Sequence, residues 1–271
     1  MNTYIRPHEV FGDCLYADNG IIEIGIPLEL GIRIVHFARV GEVNVFYQDS
    51  AESLQDDFNV YGGHRLWIAP ECEADYQPDN APITYRIIND TIELIQQPTD
   101  VLRVEKRVLL RLDGDCVHVA HTIKNCSFKP IVCALWGVTA LKGGGVESID
   151  LHTREGGLDP LHHLSVWDHT NVGDPRISFT RDSVTVTHLP IEGKAKIGIG
   201  HPKPIVRYAV DGYVFTKQYE IDQSKKYPDS GVSFETFVNR NMLEMESLSP
   251  LRTVWPFASA THTEIWSLRQ K

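Results

Sequence analysis

The chain has 271 residues, of which 42% are hydrophobic and 23% are charged, and its formal net charge is -10 at pH 7. These values are typical of a globular protein with a sizeable core. They argue against nucleic acid and anionic membranes as partners, because an acidic surface repels both. No run approaches the apolar length of a membrane span, and an N-terminus that carries Arg6, Pro7 and His8 does not resemble a signal peptide.

The five cysteines are scattered along the chain, at Cys14, Cys72, Cys116, Cys126 and Cys133. Their number is odd and no pair has the spacing of a zinc or redox motif. The pattern therefore predicts five free thiols and a cytoplasmic location rather than a disulfide scaffold.

Strand patterns dominate the chain from residue 21 onwards. A polar, helix-compatible stretch at 50–59 and a loop rich in His, Asp, Gly and Pro at 146–176 interrupt them. Because no amphipathic helix of three turns and no linker is present, we predict a single all-β domain over 1–271, built from large antiparallel sheets. The predicted strands are 21–30, 32–38, 43–47, 84–89, 91–96, 102–112, 116–125, 131–141, 176–179, 183–189, 196–199, 207–209, 213–220, 232–239, 242–248 and 262–268.

The first candidate site is the stretch at 61–71, which reads Tyr-Gly-Gly-His-Arg-Leu-Trp-Ile-Ala-Pro-Glu. Its glycine pair allows a tight turn or the close approach of a ligand. Arg65 offers a fork of donors for a carboxylate, a phosphate or hydroxyl groups, and Trp67 offers a flat face on which a sugar can stack. The alternative is structural, with Arg65 and Glu71 as an ion pair and Trp67 in the core.

The second candidate site is the predicted strand 242–248, Met-Leu-Glu-Met-Glu-Ser-Leu. Successive side chains of a strand point to opposite faces, so Glu244 and Glu246 share one face. Two neighbouring carboxylates repel each other, which raises one pKa unless a cation lies between them. The pair therefore suits a general base or a cation-binding site, and the alternative is a solvent-exposed face.

A third candidate lies in the loop at 167–176, which contains Asp168, His169 and Asp174. Loops often carry functional groups, but Asp and Asn in loops also cap their own backbone, so both interpretations remain open here.

We expect neither a metal nor a cofactor. The adjacent His162 and His163 lack a third spaced ligand, and His118 and His121 would face opposite sides of a strand. The glycine run at 143–145 lacks the nucleotide-binding pattern and the helix that follows it.

Several segments together resemble a DUF4380-type family within the galactose mutarotase-like (aldose 1-epimerase-like) superfamily. The resemblance covers about residues 20–268. It implies a β-supersandwich with a sugar-sized site on the concave face of the larger sheet. The segments that carry it are Gly-Gly-His-Arg-Leu-Trp-Ile-Ala-Pro-Glu at 62–71, Thr-Asn-Val-Gly-Asp-Pro-Arg at 170–176, the strand at 213–219, Tyr-Pro-Asp at 227–229 and Leu-Glu-Met-Glu-Ser-Leu-Ser-Pro-Leu at 243–251.

The resemblance also implies residue roles. In the superfamily a late Glu is the general base, which corresponds to Glu246 with Glu244 beside it. An early Arg that follows a Gly pair binds the substrate, which corresponds to Arg65. The general acid is a His on the apolar strand that corresponds to 131–141, and here that position holds Trp136.

An indole does not exchange a proton near pH 7, so another group must supply it if the chain is catalytic. His64 and His169 are the candidates. The first hypothesis is thus an aldose 1-epimerase-like enzyme that uses Glu246 with one of these histidines.

The second hypothesis is a non-catalytic carbohydrate-binding protein, in which Trp67, Trp136 and Trp167 stack on a ligand around Arg65. The third is a lyase-like acid–base enzyme acting on an acidic sugar held by Arg65 and Lys217. In each case the expected partner is a small carbohydrate, and the protein is expected to be a monomer or a homodimer. The remaining candidate substrate-binding residues are Glu71, Asp168, Asp174 and Glu244.

Overall fold

The computed structural model describes residues 1–54, 59–76, 80–101 and 103–271, with the backbone alone at 74 and 75. Within these ranges the chain forms 22 strands, two short 3-10 helices at Ala51–Ser53 and Glu73–Tyr76, and no α-helix. The all-β prediction is therefore confirmed. Part of the predicted helix-compatible stretch, 55–58, and the first residue of the predicted strand 102–112 lie outside the described residues. No described helix has the length and apolar character needed to cross a membrane.

The strands form three sheets, and every pairing between them is antiparallel. The N-terminal sheet has the order β1 (Asn2–His8), β2 (Gly12–Asp18), β3 (Ile22–Pro27) and β5 (His36–Arg39).

The two larger sheets contain the remaining strands. The ten-stranded sheet runs β14 (Ile177–Phe179), β15 (Ser183–Thr187), β12 (Val146–Asp150), β17 (Ile205–Val210), β18 (Tyr213–Tyr219), β22 (Ser259–Gln270), β10 (Cys116–Asn125), β9 (Val104–Asp113), β8 (Thr91–Gln96) and β7 (Thr84–Ile88). The eight-stranded sheet runs β13 (Leu164–Val166), β16 (Ala195–Ile199), β19 (Phe234–Val238), β20 (Met242–Leu248), β11 (Ile131–Lys142), β6 (Gly63–Ala69) and β4 (Arg33–Ile34), with β21 (Arg252–Val254) paired to β11.

The main core lies between the two larger sheets. Leu243 and Met245 of the eight-stranded sheet belong to the same buried cluster as Phe215 and Trp266 of the ten-stranded sheet. Because side chains alternate along a strand, the intervening residues point the other way. We call the side of the eight-stranded sheet that packs on the ten-stranded sheet its inner face, and the opposite side its outer face.

The glycine pair before β6 is required by its surroundings. Gly62 and Gly63 have φ angles of +86° and +66°, and a Cβ on Gly63 would lie 2.2 Å from the carbonyl oxygen of Ile34. A side chain cannot be accommodated there, so the pair allows β6 to start directly beside β4. The candidate stretch at 61–71, for which no strand was predicted, thus contains the strand β6.

Several strand predictions were incomplete. The hairpin of β1 and β2 was missed, because six of the seven residues of β1 are exposed and show no alternation. No strand forms at 43–47, where Phe46 makes only an isolated bridge to Leu141. The predicted loop at 146–176 contains β12 and β13.

All five cysteines are free thiols, as predicted, and Cys14 and Cys133 are buried.

Candidate functional site

A row of charged side chains crosses the outer face of the eight-stranded sheet. Glu235 of β19 is directly opposite Glu246 of β20, which is opposite Val138 of β11. Val138 is opposite Arg65 of β6, and Arg65 is opposite Arg33 of β4. Each of these residues is at most 4% exposed. Buried charges of this density are uncommon in a protein core and mark the row as the candidate site.

One lysine links the two glutamates of this row. The Nζ of Lys196 lies 2.9 Å from Glu235 Oε2 and 2.9 Å from Glu246 Oε2. Burial alone would lower the pKa of Lys196, but the two carboxyl groups outweigh it and raise that pKa. Burial, reinforced by Glu246, raises the pKa of Glu235 well above its usual value although Lys196 opposes the shift. The other oxygens, Oε1 of both glutamates, have no hydrogen-bond partner among the described residues.

Three tryptophans surround this charged group. The Lys196 Nζ lies 4.5 Å from the ring centroid of Trp136 and 4.9 Å from that of Trp167, within the range of cation–π attraction. The rings of Trp136 and Trp67 are 5.3 Å apart, and the guanidinium carbon of Arg65 lies 4.1 Å from the centroid of Trp67. The indole nitrogen of Trp136 is buried and has no described hydrogen-bond partner.

Glu244 lies on the same outer face, two residues before Glu246, and is half-buried. Burial and the neighbouring Glu246 raise its pKa to about 8, although Lys196 and Arg65 oppose the shift. At neutral pH this carboxyl therefore carries a proton for most of the time.

The loop before β19 folds over part of the outer face. Tyr227 and Val232 of this loop pack in one apolar cluster with Trp136, Val138 and Leu248. The carboxyl groups of the row are therefore closed to solvent.

The residues of the outer face nearest to solvent are the half-buried Glu244, Trp67 and Trp167. A small cavity of about 210 Å³ beside Trp167 is lined by Ser165, Val166, Asp229 and Ser230.

His64 and Lys217 lie on the other side of this sheet. The His64 ring is completely buried, with Nδ1 2.8 Å from Thr139 Oγ1 and Nε2 2.7 Å from His121 Nε2. Burial holds the pKa of His64 well below its usual value, so the ring is neutral. Its position differs from the expected pocket beside Arg65, because adjacent residues of β6 face opposite sides.

Lys217 of β18 reaches the inner face of the same sheet. Its Nζ donates hydrogen bonds of 2.9 Å to the backbone carbonyls of Gly137 and Met245 and lies 3.3 Å from Glu264 Oε1. The side chain is 0% exposed and is engaged by these partners. It does not reach the outer face, where Arg65 lies, so the two residues are not placed to hold one acidic sugar together, as the third hypothesis expected.

His64, His121 and Glu264 offer atoms of the kind that bind zinc, within 4.8 Å of one another. The two histidine nitrogens are closer together than the roughly 3.3 Å expected for two ligands of a tetrahedral zinc ion. Ser247 donates to Glu264 Oε1, and the Trp266 indole donates to Oε2 at 2.6 Å. These contacts describe a hydrogen-bonded network between the sheets.

The remaining predicted residues are more peripheral. The carboxylate of Asp174 is engaged by Arg176, whose Nε and Nη2 donate to its two oxygens at 2.9 and 2.7 Å. Asp168 is exposed and lies 3.7 Å from the His169 ring, and Glu71 is also exposed. The structure brings these residues neither to the row nor to Lys196 by a direct contact.

Sequence reasoning missed Lys196, Glu235 and Arg33. Lys196 and Glu235 each stand as the single charge in an otherwise apolar or neutral strand, Ala-Lys-Ile-Gly-Ile and Phe-Glu-Thr-Phe-Val. A lone charge in a strand predicted to be buried is the signal that could have found them.

No protein-family model matches this sequence, and no curated protein is similar to it. Solved structures are similar in fold. The Slr1438 protein from Synechocystis sp. PCC 6803 has a TM-score of 0.66 at 11% identity, and the match covers 100% of this chain and 96% of that chain.

YeaD from Salmonella typhimurium, a protein proposed to be a mutarotase, has a TM-score of 0.66 at 9% identity, with 99% and 94% of the two chains covered. A galactose mutarotase-like protein from Clostridium acetobutylicum has a TM-score of 0.61 at 9% identity, with 99% of each chain covered. The chain therefore has the galactose mutarotase-like fold.

Proposed function

We propose that this protein is a carbohydrate-active enzyme of the aldose 1-epimerase type and that Glu246 is its general base. The observation that carries the proposal is the setting of Glu246. Its carboxylate is fully buried, one oxygen is held by Lys196, and the other has no described partner on a face lined by tryptophans. A buried polar atom without a partner is costly, and a ligand hydroxyl would satisfy it. Because Tyr227 and Val232 cover this part of the face, the proposal requires the loop that carries them to move when a ligand binds.

The chemistry of the face suits a sugar ring. Aromatic rings can pack on the apolar face of a pyranose, while Arg65 and the carboxyl groups can bind its hydroxyl groups. We further propose membership of the DUF4380-type family, on the segments that form β6 and β20, and a cytoplasmic location, on the free thiols.

The experiment is a screen of neutral, phosphorylated and acidic aldoses by calorimetry, followed by polarimetry or NMR exchange for those that bind. Glu246→Gln should reduce the interconversion of anomers by about 10²–10⁴-fold while ligand affinity and melting temperature change little. The matched control is Glu192→Gln, at an exposed position paired with Arg240. Interconversion at the wild-type rate by Glu246→Gln would refute the role of this residue.

A second function, non-catalytic carbohydrate binding, is favoured by Trp136. The indole stands on the strand where the resemblance expects a histidine and cannot exchange a proton near neutral pH. A sugar that binds to the wild-type protein in calorimetry, but whose anomers interconvert no faster than without protein, would identify this function.

A further inference from the structure

The proton donor of the proposed reaction has to be a residue other than Trp136 and His64. His169, the other histidine candidate, lies beside Asp168 in an exposed loop and not on the strands that carry Glu246 and its partners. Trp136 cannot exchange a proton, and His64 lies beyond the sheet from Glu246. The donor must therefore be a group that lies on the outer face within reach of Glu246.

Glu235 is the carboxyl group that lies directly opposite Glu246 on the neighbouring strand. The two residues are directly opposite each other on β19 and β20, where Cβ atoms are about 4.5–5.5 Å apart. Each Oε2 lies 2.9 Å from the same Lys196 nitrogen, so these oxygens cannot be farther apart than twice that distance. Both Oε1 atoms remain without a described partner.

The charges around this pair do not balance if both glutamates are ionised. Lys196 is the cation that pairs with them among the described residues, and one ammonium neutralises one carboxylate. Arg65 lies two strands away from Glu246, beyond Val138, where its guanidinium stacks on Trp67. The other titratable groups near the pair are carboxyl groups, namely Asp229 in the covering loop, Glu244 on β20 and Glu147 between the sheets, and none of them supplies a positive charge. A second buried carboxylate without a cation is costly, so the pair retains a proton.

Lys217, on the inner face beneath this pair, does not change that balance, because Glu264 engages it. The upward shift of the Glu235 pKa, caused by burial and by Glu246, indicates which of the two carboxyl groups carries the proton.

We propose that Glu235 is the general acid of this site and acts with Glu246 as a pair that shares one proton. The inference rests on the proposed epimerase function. Glu246 accepts the proton of the sugar O1 while Glu235 donates its proton to the ring oxygen O5. The C1–O5 bond then breaks and a C1 carbonyl forms. After rotation about C1–C2 the same transfers run in reverse, so each carboxyl group regains its starting state.

The spacing of the pair suits this reaction. O1 and O5 are bonded to the same carbon, so the acid and the base must reach two neighbouring oxygens, each within hydrogen-bond distance. Two carboxyl groups that flank one ammonium meet this requirement. Lys196 is then a positioning residue, which holds one oxygen of each carboxyl group and leaves the other for the ligand.

The first test measures the proton directly and does not need a substrate. In protein labelled with ¹³C at the glutamate carboxyl, NMR at pH 7 should show a protonated carboxyl signal that Glu235→Gln removes. Glu147→Gln and Glu244→Gln assign the signals of the two other glutamates with raised pKa values, and Glu192→Gln is the control. If Glu235→Gln leaves every protonated signal in place, the proposal is wrong.

The second test uses an aldose that the wild-type protein interconverts. Glu235→Gln should lower kcat by at least about 10²-fold with little change in KM, and the loss of rate at high pH should disappear from its pH profile. If Glu235→Gln keeps the wild-type rate and the loss of rate at high pH, and Glu244→Gln loses both, the general acid is Glu244. If the wild-type protein interconverts no aldose, the epimerase function itself fails, a result distinct from an active Glu235→Gln variant.

Discussion

Replacing Lys217 with methionine tests the contacts that join the two large sheets beneath the site. The ammonium lies 3.3 Å from Glu264 Oε1 and donates to the carbonyls of Gly137 and Met245, which belong to the two central strands β11 and β20. Lys217 and Glu264 are 0% and 1% exposed, so water cannot replace the missing charge. Methionine keeps an unbranched side chain and removes only the ammonium group.

We expect Lys217→Met to lower the free energy of unfolding by about 3–5 kcal/mol at pH 7, the usual cost of leaving one member of a buried pair uncompensated. Adding Glu264→Gln to this variant should recover part of the loss, because no buried charge then remains. The control, Lys203→Met at an exposed lysine, should change the free energy of unfolding by less than about 0.5 kcal/mol.

The pH dependence gives a second check with a defined sign. In the wild-type protein burial would raise the pKa of Glu264, but Lys217 outweighs it and holds that pKa well below its usual value. The pair therefore stabilises the fold above the unfolded pKa of about 4.3 and loses this contribution as the pH falls. Without Lys217, burial raises the pKa of Glu264. The free energy of unfolding of Lys217→Met therefore falls as the pH rises above about 4.3, because the unfolded chain ionises this carboxyl group more readily than the folded protein does.

The difference between wild type and Lys217→Met should thus be largest near pH 7 and shrink at pH 4, as measured by urea denaturation at both values. The pKa values of His64, His121 and His262 are lowered by burial, and these rings are present in both proteins. A loss below about 1 kcal/mol at pH 7, or a difference that grows on acidification, would refute this account of the inner face.

Three further predictions concern other parts of the molecule. Gly63→Ala should lower the free energy of unfolding by about 3 kcal/mol or more, because its Cβ would clash with Ile34, whereas Gly41→Ala, with φ +82° and open space, should cost about 1 kcal/mol in the same denaturation assay. Burial raises the pKa of Glu147 to about 8, so the stability of Glu147→Gln relative to wild type should increase between about pH 4.3 and 8 and level off above, and a flat difference would contradict this. Asp174→Asn should cost about 1–3 kcal/mol of stability and leave the calorimetric affinity for any identified sugar unchanged, and a loss of affinity would instead place Asp174 in the site.

The fold was accessible from the sequence because half-buried strands alternate and turns carry characteristic residues. β8 and β10 begin and end where the pattern predicted, and the Asp-Gly-Asp hairpin joins β9 to β10. The exposed strand β1 carries no such pattern, since most of its residues face solvent. Hydrophobic periodicity arises from burial, so a strand that is exposed on both faces has no alternating pattern in its sequence.

The candidate site was only partly accessible, and His64 shows why. Alternation correctly places Glu244 and Glu246 on one face of β20, and the same rule applied to β6 separates His64 from Arg65. No strand was predicted over 61–71, so the rule was not applied to His64 and Arg65. Lys196 was missed for a different reason, because its partners come from strands 39 and 50 residues away in the chain, a pairing that no local pattern reports.

Both faces of β20 carry residues with defined roles, and this constrains where the sequence can gain or lose residues. Glu244 and Glu246 point to the outer face, while the Met245 carbonyl and the Ser247 hydroxyl take part in the hydrogen-bonded network between the sheets. Inserting or deleting one residue within the strand would send each set to the opposite side and disrupt both layers at once. Insertions and deletions among related sequences should therefore fall in the connections on either side of β20, and an alignment that opens a gap inside it would be misplaced.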